Sequence, residues 1–409
     1  MISLERKNNM NNENNMNNEN NMKYELIATS TFGLEAVVRR EIESLGYEII
    51  RTEDGKVTFA GDERAIVRSN LWLRCADRVL LKACEFEALE FEDLFQGIKA
   101  YSWEKIIPVD GKFTVTCSTV KSKLHNPPAM QSVSKKAVVE RMKSAYGIDH
   151  FRETGAEYTV KVSMLKDRAT VTIDTSGAGL HKRGYRVASV EAPIKETMAA
   201  ALVQLSFWKP GRTLIDPCCG SGTIPIEAAL IAKNIAPGLN RTFASEEWQV
   251  IPKKIWKEER KDAFNLIDNL EDLTNCREEV ENTKIFAGDI DSKSIRAAKE
   301  NAAEAGVDDI IDFTRKDIKA LLPSINAQDA IIITNLPYGE RIGTDAEIKT
   351  IYKALKEGIT KNSRWSLFAI TSDKEIERAM GRKSDRRRKL YNGNIETTYY
   401  QFHGRRRDK

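Results

Sequence analysis

The chain has no C-x-x-C pair. Its six cysteines, Cys75, Cys84, Cys117, Cys218, Cys219 and Cys276, are spaced neither like a zinc site nor like a disulfide framework, a usage that fits free thiols in a reducing cytoplasm. Histidine is scarce as well, four in 409 residues with no pair at ligand spacing, so metal-dependent hydrolysis has no sequence support and no metal is expected. No apolar run approaches the roughly 18 residues of a membrane span, and the N-terminus carries no apolar signal-peptide core. The expectation is a soluble, unexported, cytoplasmic protein with no membrane partner. An excess of one charge sign is missing too: 64 Lys+Arg against 60 Asp+Glu leaves +4. Composition therefore calls for no polyanionic partner, which has to be argued from local clusters.

What is present begins with length enough for two or three domains, each able to bury a core. Residues 1–22 are mostly Asn, Met and Glu, with the near-repeat Met10-Asn-Asn-Glu-Asn-Asn and Met16-Asn-Asn-Glu-Asn-Asn, and are expected to be a disordered tail. Beyond them, Tyr24 to Thr29 alternates like a short strand, and Leu34 to Leu45 repeats at helical spacing. Strands are expected at Val57 to Phe59, Arg78 to Phe86 and Lys112 to Ser118. Helices are expected at Glu63 to Leu73, Phe91 to Tyr101 and Ser132 to Tyr146, and a hairpin turns at Lys166-Asp167. This is a mixed α+β region. After about residue 180, strands at Thr213 to Ile215, Lys284 to Ala287, Ile310 to Thr314 and Ala330 to Thr334 alternate with helices, which predicts a doubly wound, Rossmann-like α/β sheet. A polar, tryptophan-containing insertion, 235–281, interrupts the alternation, and its pattern assigns it no role.

Four strand ends carry ligand-type residues. The first is Thr213-Leu-Ile-Asp-Pro-Cys-Cys-Gly-Ser-Gly-Thr223, a strand followed by a turn in which Gly220 and Gly222 let a ligand lie against the backbone. Two glycines alone are as often a structural turn; Asp216 before them suits the ammonium of an amino-acid-like ligand, and no P-loop lysine follows. The second is Ile285-Phe-Ala-Gly-Asp-Ile-Asp291. There Asp289 can accept both hydroxyls of a ribose, Ile290 can pack on an adenine, and Asp291 is either a further ligand or a helix cap. The glycines and Asp289 are too far apart for a dinucleotide fingerprint. Asp317, beside Ile318, is placed to receive an adenine amino group. The fourth, Asn335-Leu-Pro-Tyr338, ends a strand of buried character. A nucleobase amine is a poor nucleophile because its lone pair is delocalised. Asn335 Oδ1 and the Leu336 carbonyl can accept its two hydrogens, Pro337 holds that carbonyl in place, and Tyr338 offers a stacking face.

The loop Asp216-Pro-Cys-Cys-Gly-Ser-Gly-Thr223 and the tetrapeptide resemble class I methyltransferase motifs. With Leu180-His-Lys-Arg-Gly-Tyr-Arg186 and Glu191-Ala-Pro-Ile-Lys-Glu196, they are similar to the THUMP-domain 23S rRNA guanine-N2 methyltransferase family, over about residues 23 to 402. The resemblance implies S-adenosyl-L-methionine as cofactor, held by Asp216, Cys218, Gly220, Gly222, Thr223, Asp289, Ile290, Asp291, Asp317 and Ile318, with Pro193, Lys195 and Glu196 beside its methionine end. It implies a ferredoxin-like unit (23–75), a THUMP RNA-binding domain (76–180) and a methyltransferase domain (181–402), leaving a basic tail (403–409). Leu336 stands where the commoner tetrapeptide has proline and also occurs in related tRNA guanine-N2 enzymes, so both rRNA and tRNA stay open.

Beside that resemblance, Lys121, Lys123, Lys135 and Lys136 become candidate phosphate contacts, as do Arg183 and Arg186 between the two halves and the cluster containing Arg386, Arg387 and Arg388. Taken alone, such charges are more often a solvated face. The expected partner is RNA, 23S rRNA or an assembling large ribosomal subunit, and the expected chemistry is direct methyl transfer to guanine N2. Adenine-N6 methylation of DNA is the competing enzymatic reading, and a catalytically idle RNA-binding assembly factor the non-enzymatic one.

Overall fold

The computed structural model describes residues 24–405 except 189, 191–192, 269–273, 338–344 and 394. The tail expected over residues 1–22, Glu191 and Ala192 of the segment before Pro193, Tyr338 of the tetrapeptide, and the terminal arginines after Arg405 lie outside the described residues.

The N-terminal half runs β1 (Tyr24–Thr29), α1 (Glu35–Ser44), β2 (Ile49–Glu53), β3 (Lys56–Gly61), α2 (Glu63–Trp72), β4 (Arg78–Glu87), α3 (Phe91–Lys99), β5 (Lys112–Val120), α4 (Pro127–Tyr146), β6 (Glu157–Leu165) and β7 (Arg168–Asp174). Its strands form one sheet ordered β2-β3-β1-β4-β7-β6-β5. Strand β4 pairs with β1 on one side and β7 on the other, so this sheet is continuous where separate units were expected to meet near residue 75. Alternation explains its single packed face: Tyr158, Val160, Val162 and Met164 of β6 are buried, with more exposed residues between them. The β6–β7 turn is Lys166-Asp167 as expected, both at positive φ (50° and 65°), the twist a two-residue hairpin requires. Helix α4 starts five residues before the expected Ser132. Asn126 caps it by accepting from Ala129 N (3.2 Å), and two prolines occupy the first turn, where a missing N–H costs little.

The C-terminal half runs α5 (Glu196–Leu205), β8 (Thr213–Asp216), α6 (Thr223–Ala232), α7 (Lys253–Asp268), α8 (Thr274–Glu281), β9 (Ile285–Asp289), α9 (Ser292–Glu304), β10 (Ile311–Arg315), α10 (Ile318–Ser324), β11 (Ala330–Asn335), α11 (Asp345–Lys361), β12 (Ser366–Thr371), α12 (Ile376–Met380), β13 (Arg386–Asn392) and β14 (Ile395–Phe402). The order is β10-β9-β8-β11-β12-β14-β13, parallel from β10 to β12, with β14 antiparallel to β12 and β13 antiparallel to β14. This is the doubly wound sheet expected. Ile331, Ile332 and Ile333 of β11 are all fully buried, as a parallel strand covered on both faces demands. The chain leaves β8 toward β9 on one side and meets β11 on the other, so a crevice opens at their carboxyl ends, the usual ligand position in such sheets.

The insertion joins the halves. Trp248 is buried, stacks on Tyr158 of β6 (4.8 Å between centroids) and donates through Nε1 to Glu157 O (3.1 Å). Arg64 of α2 pairs with Glu258 (2.8 Å) and Glu259 of α7. One hydrophobic cluster runs from the first sheet through α5 and α6 to β8, β9 and β10, and a second fills the opposite face of the C-terminal sheet.

Candidate active site

All four expected strand ends meet at this crevice. Gly220 (φ 53°) and Gly222 (φ 81°) both take the left-handed backbone of the turn between β8 and α6. A Cβ on Gly222 would also lie 3.0 Å from the Ala298 Cβ, so this glycine serves helix packing as well. Asp216 is buried at the end of β8, and its Oδ1 accepts from Thr334 Oγ1 (2.8 Å) and Cys218 N (3.3 Å). Both bonds use one oxygen, which leaves Oδ2 for a cationic group. Burial pushes the Asp216 carboxyl up to about 7, against the opposing pull of those two hydrogen bonds. Burial likewise drives the Cys218 and Cys219 thiols well above their usual range, with Asp216 and Asp289 adding to it, so neither is a thiolate nucleophile.

Asp289, at the end of β9, accepts from Gly220 N (3.0 Å) and Asp291 N (2.9 Å), tying the glycine turn to the neighbouring strand. Each oxygen keeps a second lone pair for a ribose hydroxyl. Beside it, Ile290 is 65% exposed, a bare apolar side chain at the crevice. Of the two alternatives for Asp291, the structure shows the cap of α9: its oxygens accept from Lys293 N (3.1 Å), Ser294 N (3.0 Å) and Ser294 Oγ (3.0 Å). Asp317 caps α10 through Lys319 N (2.9 Å) and stays half-exposed, while the Ile318 side chain is buried in the core, leaving only its backbone for a ligand.

At the end of β11, the Asn335 Oδ1 is buried and has no hydrogen-bond partner among the described residues. An orphaned buried acceptor is costly and needs an explanation, and a ligand donor supplies one. Leu336 N donates to Ile370 O (3.1 Å) and its side chain is buried, which fixes the peptide that ends at Pro337.

Two residues expected to face RNA are structural instead. Arg183 is 3% exposed, bonded to Leu180 O (2.6 Å) and Arg74 O and paired with Glu227 (3.4 Å). Arg186 spends its guanidinium on Glu196 (2.7 Å), Ile194 O (3.1 Å), Ser221 Oγ (3.1 Å) and Thr223 Oγ1 (3.0 Å). Those bonds also explain Glu196, which is buried as the partner of Arg186, while Lys195 is exposed and Pro193 half-buried. Asn301 of α9 escaped the sequence reading. It is fully buried, accepts from Val187 N and Ala188 N (3.0 Å each) and donates to Ala188 O (2.9 Å) and Ser221 O (3.1 Å). Its signal is a polar residue on the buried stripe Ile295, Ala298, Ala302. Asn301 and Arg186 thus pin the segment before α5 onto the glycine turn. Lys121, Lys123, Lys135 and Lys136 are exposed on the N-terminal half, Arg386 and Arg387 on β13, whereas Arg388 donates to Gly33 O (2.7 Å) and is corrected to a structural contact. No group of His, Cys, Asp and Glu among the described residues could hold a metal.

A doubly wound sheet with an acid at each of three neighbouring strand ends and the tetrapeptide sequence Asn-Leu-Pro-Tyr after the fourth strand defines a methyltransferase. The chain belongs to the RMKL-like methyltransferase family: the model of that methyltransferase domain matches residues 183–401, an RlmL ferredoxin-like domain matches 25–80, and a THUMP domain matches 88–174. It is 47% identical over 382 residues to YpsC of Bacillus subtilis strain 168, which carries a provisional RNA-methyltransferase name, covering 93% of this chain and 96% of that protein. It is 33% identical to the ribosomal RNA large subunit methyltransferase K/L of Psychromonas ingrahamii over 89% of this chain, which spans only 48% of that longer relative. The solved structure of SMU.472, provisionally a methyltransferase and complexed with SAH, superposes with a TM-score of 0.86 at 40% identity, covering 94% of this chain and 99% of that one.

Proposed function

We propose that this protein uses S-adenosyl-L-methionine to methylate an exocyclic base amine of RNA, guanine N2 of 23S rRNA, in the cytoplasm. The observation that carries the chemistry is the buried, unpartnered Asn335 Oδ1 beside the fixed Leu336 peptide. The residues present fit the cofactor. Asp216 Oδ2 suits its ammonium, Asp289 its ribose, Ile290 and Asp317 its adenine, and the glycine turn admits its backbone-hugging middle. When bound, the cofactor supplies an electrophilic methyl on a sulfonium. Asn335 and the Leu336 carbonyl accept the amine hydrogens, which turns the nitrogen lone pair toward that methyl. The protein then contributes orientation and fixed dipoles.

RNA as the substrate class is supported by the THUMP match and by the names of the relatives, and the rRNA by the K/L relative. The test is incubation of the purified chain with isotopically labelled S-adenosylmethionine and RNA from a strain lacking it, followed by nucleoside mass spectrometry. Labelled N2-methylguanosine in 23S rRNA is the expected result. The same product in tRNA replaces the substrate, and label in DNA adenine alone overturns the RNA reading.

A further inference from the structure

Residues 382–389 hold six cations, Arg382, Lys383, Arg386, Arg387, Arg388 and Lys389, and one acid, Asp385. Most of them lie on β13, the edge strand of the C-terminal sheet. The register places them relative to the active site. Asn335 pairs with Ile370, Ile370 with Tyr399, and Tyr399 with Arg388, so Lys389, Leu390 and Tyr391 project beyond the level of Asn335, on the edge where the crevice opens. Three strand spacings separate β11 from β13, roughly 14 Å. Alternation puts Arg387, Lys389 and Tyr391 on one face, with the Lys389 ammonium 5.4 Å from the Tyr391 ring centroid, while Leu390 turns into the core. The loop after β1 arrives at the same place. Phe32 is 48% exposed and meets Tyr391 edge to face (6.2 Å), Arg388 holds Gly33 O, and a Cβ on Gly33 would lie 2.9 Å from Lys389 O.

Resting on the reading of the site as an RNA methyltransferase, we propose that Phe32, Tyr391, Arg387 and Lys389 form one surface that holds the single strand flanking the target nucleotide. The aromatics stack bases and the cations take phosphates, a combination typical of single-strand grooves. Arg387 pairs with the half-buried Glu377 (3.7 Å) and Lys389 with the exposed Glu396 (2.7 Å), contacts that phosphate can replace. Charges on an edge strand also discourage sheet-to-sheet aggregation. That role needs no pair of aromatic rings, one from each half of the molecule.

The test uses the full chain and single-stranded RNA around the methylated site. F32A/Y391A is expected to weaken RNA binding at least about tenfold, and R387Q/K389Q to lower the slope of log affinity against log salt by roughly 1.4. Cofactor affinity should stay unchanged in both. Photocrosslinking of thiouridine-labelled RNA to the unaltered protein, mapped by mass spectrometry, should mark peptides containing Phe32 and Tyr391 without any substitution. Unchanged affinity and slope, with crosslinks confined to the N-terminal sheet, overturn the surface while leaving the RNA reading intact, and so do variants that only aggregate or that lose an acidic protein partner. If the unaltered protein binds and methylates DNA and no RNA, the functional reading fails first, and this surface with it.

Discussion

At the scale of single residues, the proposed function gives Asn335 and Asp216 opposite halves of the chemistry, which should separate cleanly. Asn335 Oδ1 meets no described protein donor and is proposed to accept from the acceptor amine, so Asn335→Ala is expected to leave cofactor affinity nearly intact in calorimetry and to lower kcat by about 10²–10³. Unchanged kcat removes it from the catalytic role. Asp216 has a folded-state value of about 7 against an ordinary 3.8. For a raised acid, the stabilising contribution is complete below 3.8 and lost as pH rises through about 7, because the ionised form is buried without a counter-charge. A cationic ligand reverses the preference and binds the ionised form. Cofactor affinity should therefore fall below about pH 7, approaching tenfold per pH unit. Asp216→Asn should flatten that profile, bind the cofactor weakly at every pH, and melt higher than the parent at pH 8 in the ligand-free state. A steep pH profile surviving in the Asn variant would assign the titration to another group.

At the scale of elements, Val187 and Ala188 owe their position to a side chain far along the chain. Asn301 satisfies two backbone donors and two backbone carbonyls there, one of them in the glycine turn. Asn301→Ala leaves Ala188 N and the two carbonyls without their Asn301 partner, while Val187 N keeps Tyr185 O (3.0 Å), with an expected loss of about 3 kcal/mol in urea unfolding and weaker cofactor binding at unchanged kcat. A stable variant with parental affinity would show that Arg186 suffices. The same elements show what the sequence made legible. The strands β8 to β11 and the acids at their ends were readable because parallel strands are short apolar runs and the ligands follow them directly. The first-sheet hairpin was readable from its turn residues. Strands β2, β12, β13 and β14 were not anticipated. β2 is exposed on most of its length, and β13 opens with Arg-Arg-Arg-Lys, which reads as a solvated charge run although the partner β14 supplies its order. Arg183 and Arg186 read as surface cations because sequence shows charge and not enclosure. Their carboxylate partners Glu227 and Glu196 lie 44 and 10 residues away. The choice for Asp291 between cap and ligand could be made only from the N–H groups it faces.

At the scale of the whole molecule, the half that matches the THUMP domain and the methyltransferase half are locked together, so the distance from one to the other is fixed by the fold. The shared hydrophobic cluster, the Trp248–Tyr158 stack and the Arg64 ion pairs contribute, and a buried polar cluster sits at the centre of the junction. Arg183 reaches from the linker to Arg74 O on one side and Glu227 on the other, Tyr185 donates to Glu227 (3.0 Å), and Gln204 of α5 donates to Glu41 of α1 (2.5 Å). Removing one partner of a buried ion pair is worse than removing both, because the survivor stays desolvated and unmatched. Glu227→Gln keeps the shape and one acceptor but withdraws the counter-charge from Arg183, and an expected loss of about 3–5 kcal/mol follows. The double variant Glu227→Gln/Arg183→Met should recover part of that loss, which a double-mutant cycle in urea reads directly. Kinetics distinguish a junction from a mere core defect: a loosened junction raises KM for RNA while the cofactor affinity of the folded protein holds, since the bonds of Glu227 go to Arg183 and Tyr185 and not to the ligand-type residues at the strand ends. An additive cycle with KM unchanged would mean that the hydrophobic cluster alone sets the distance between the two halves.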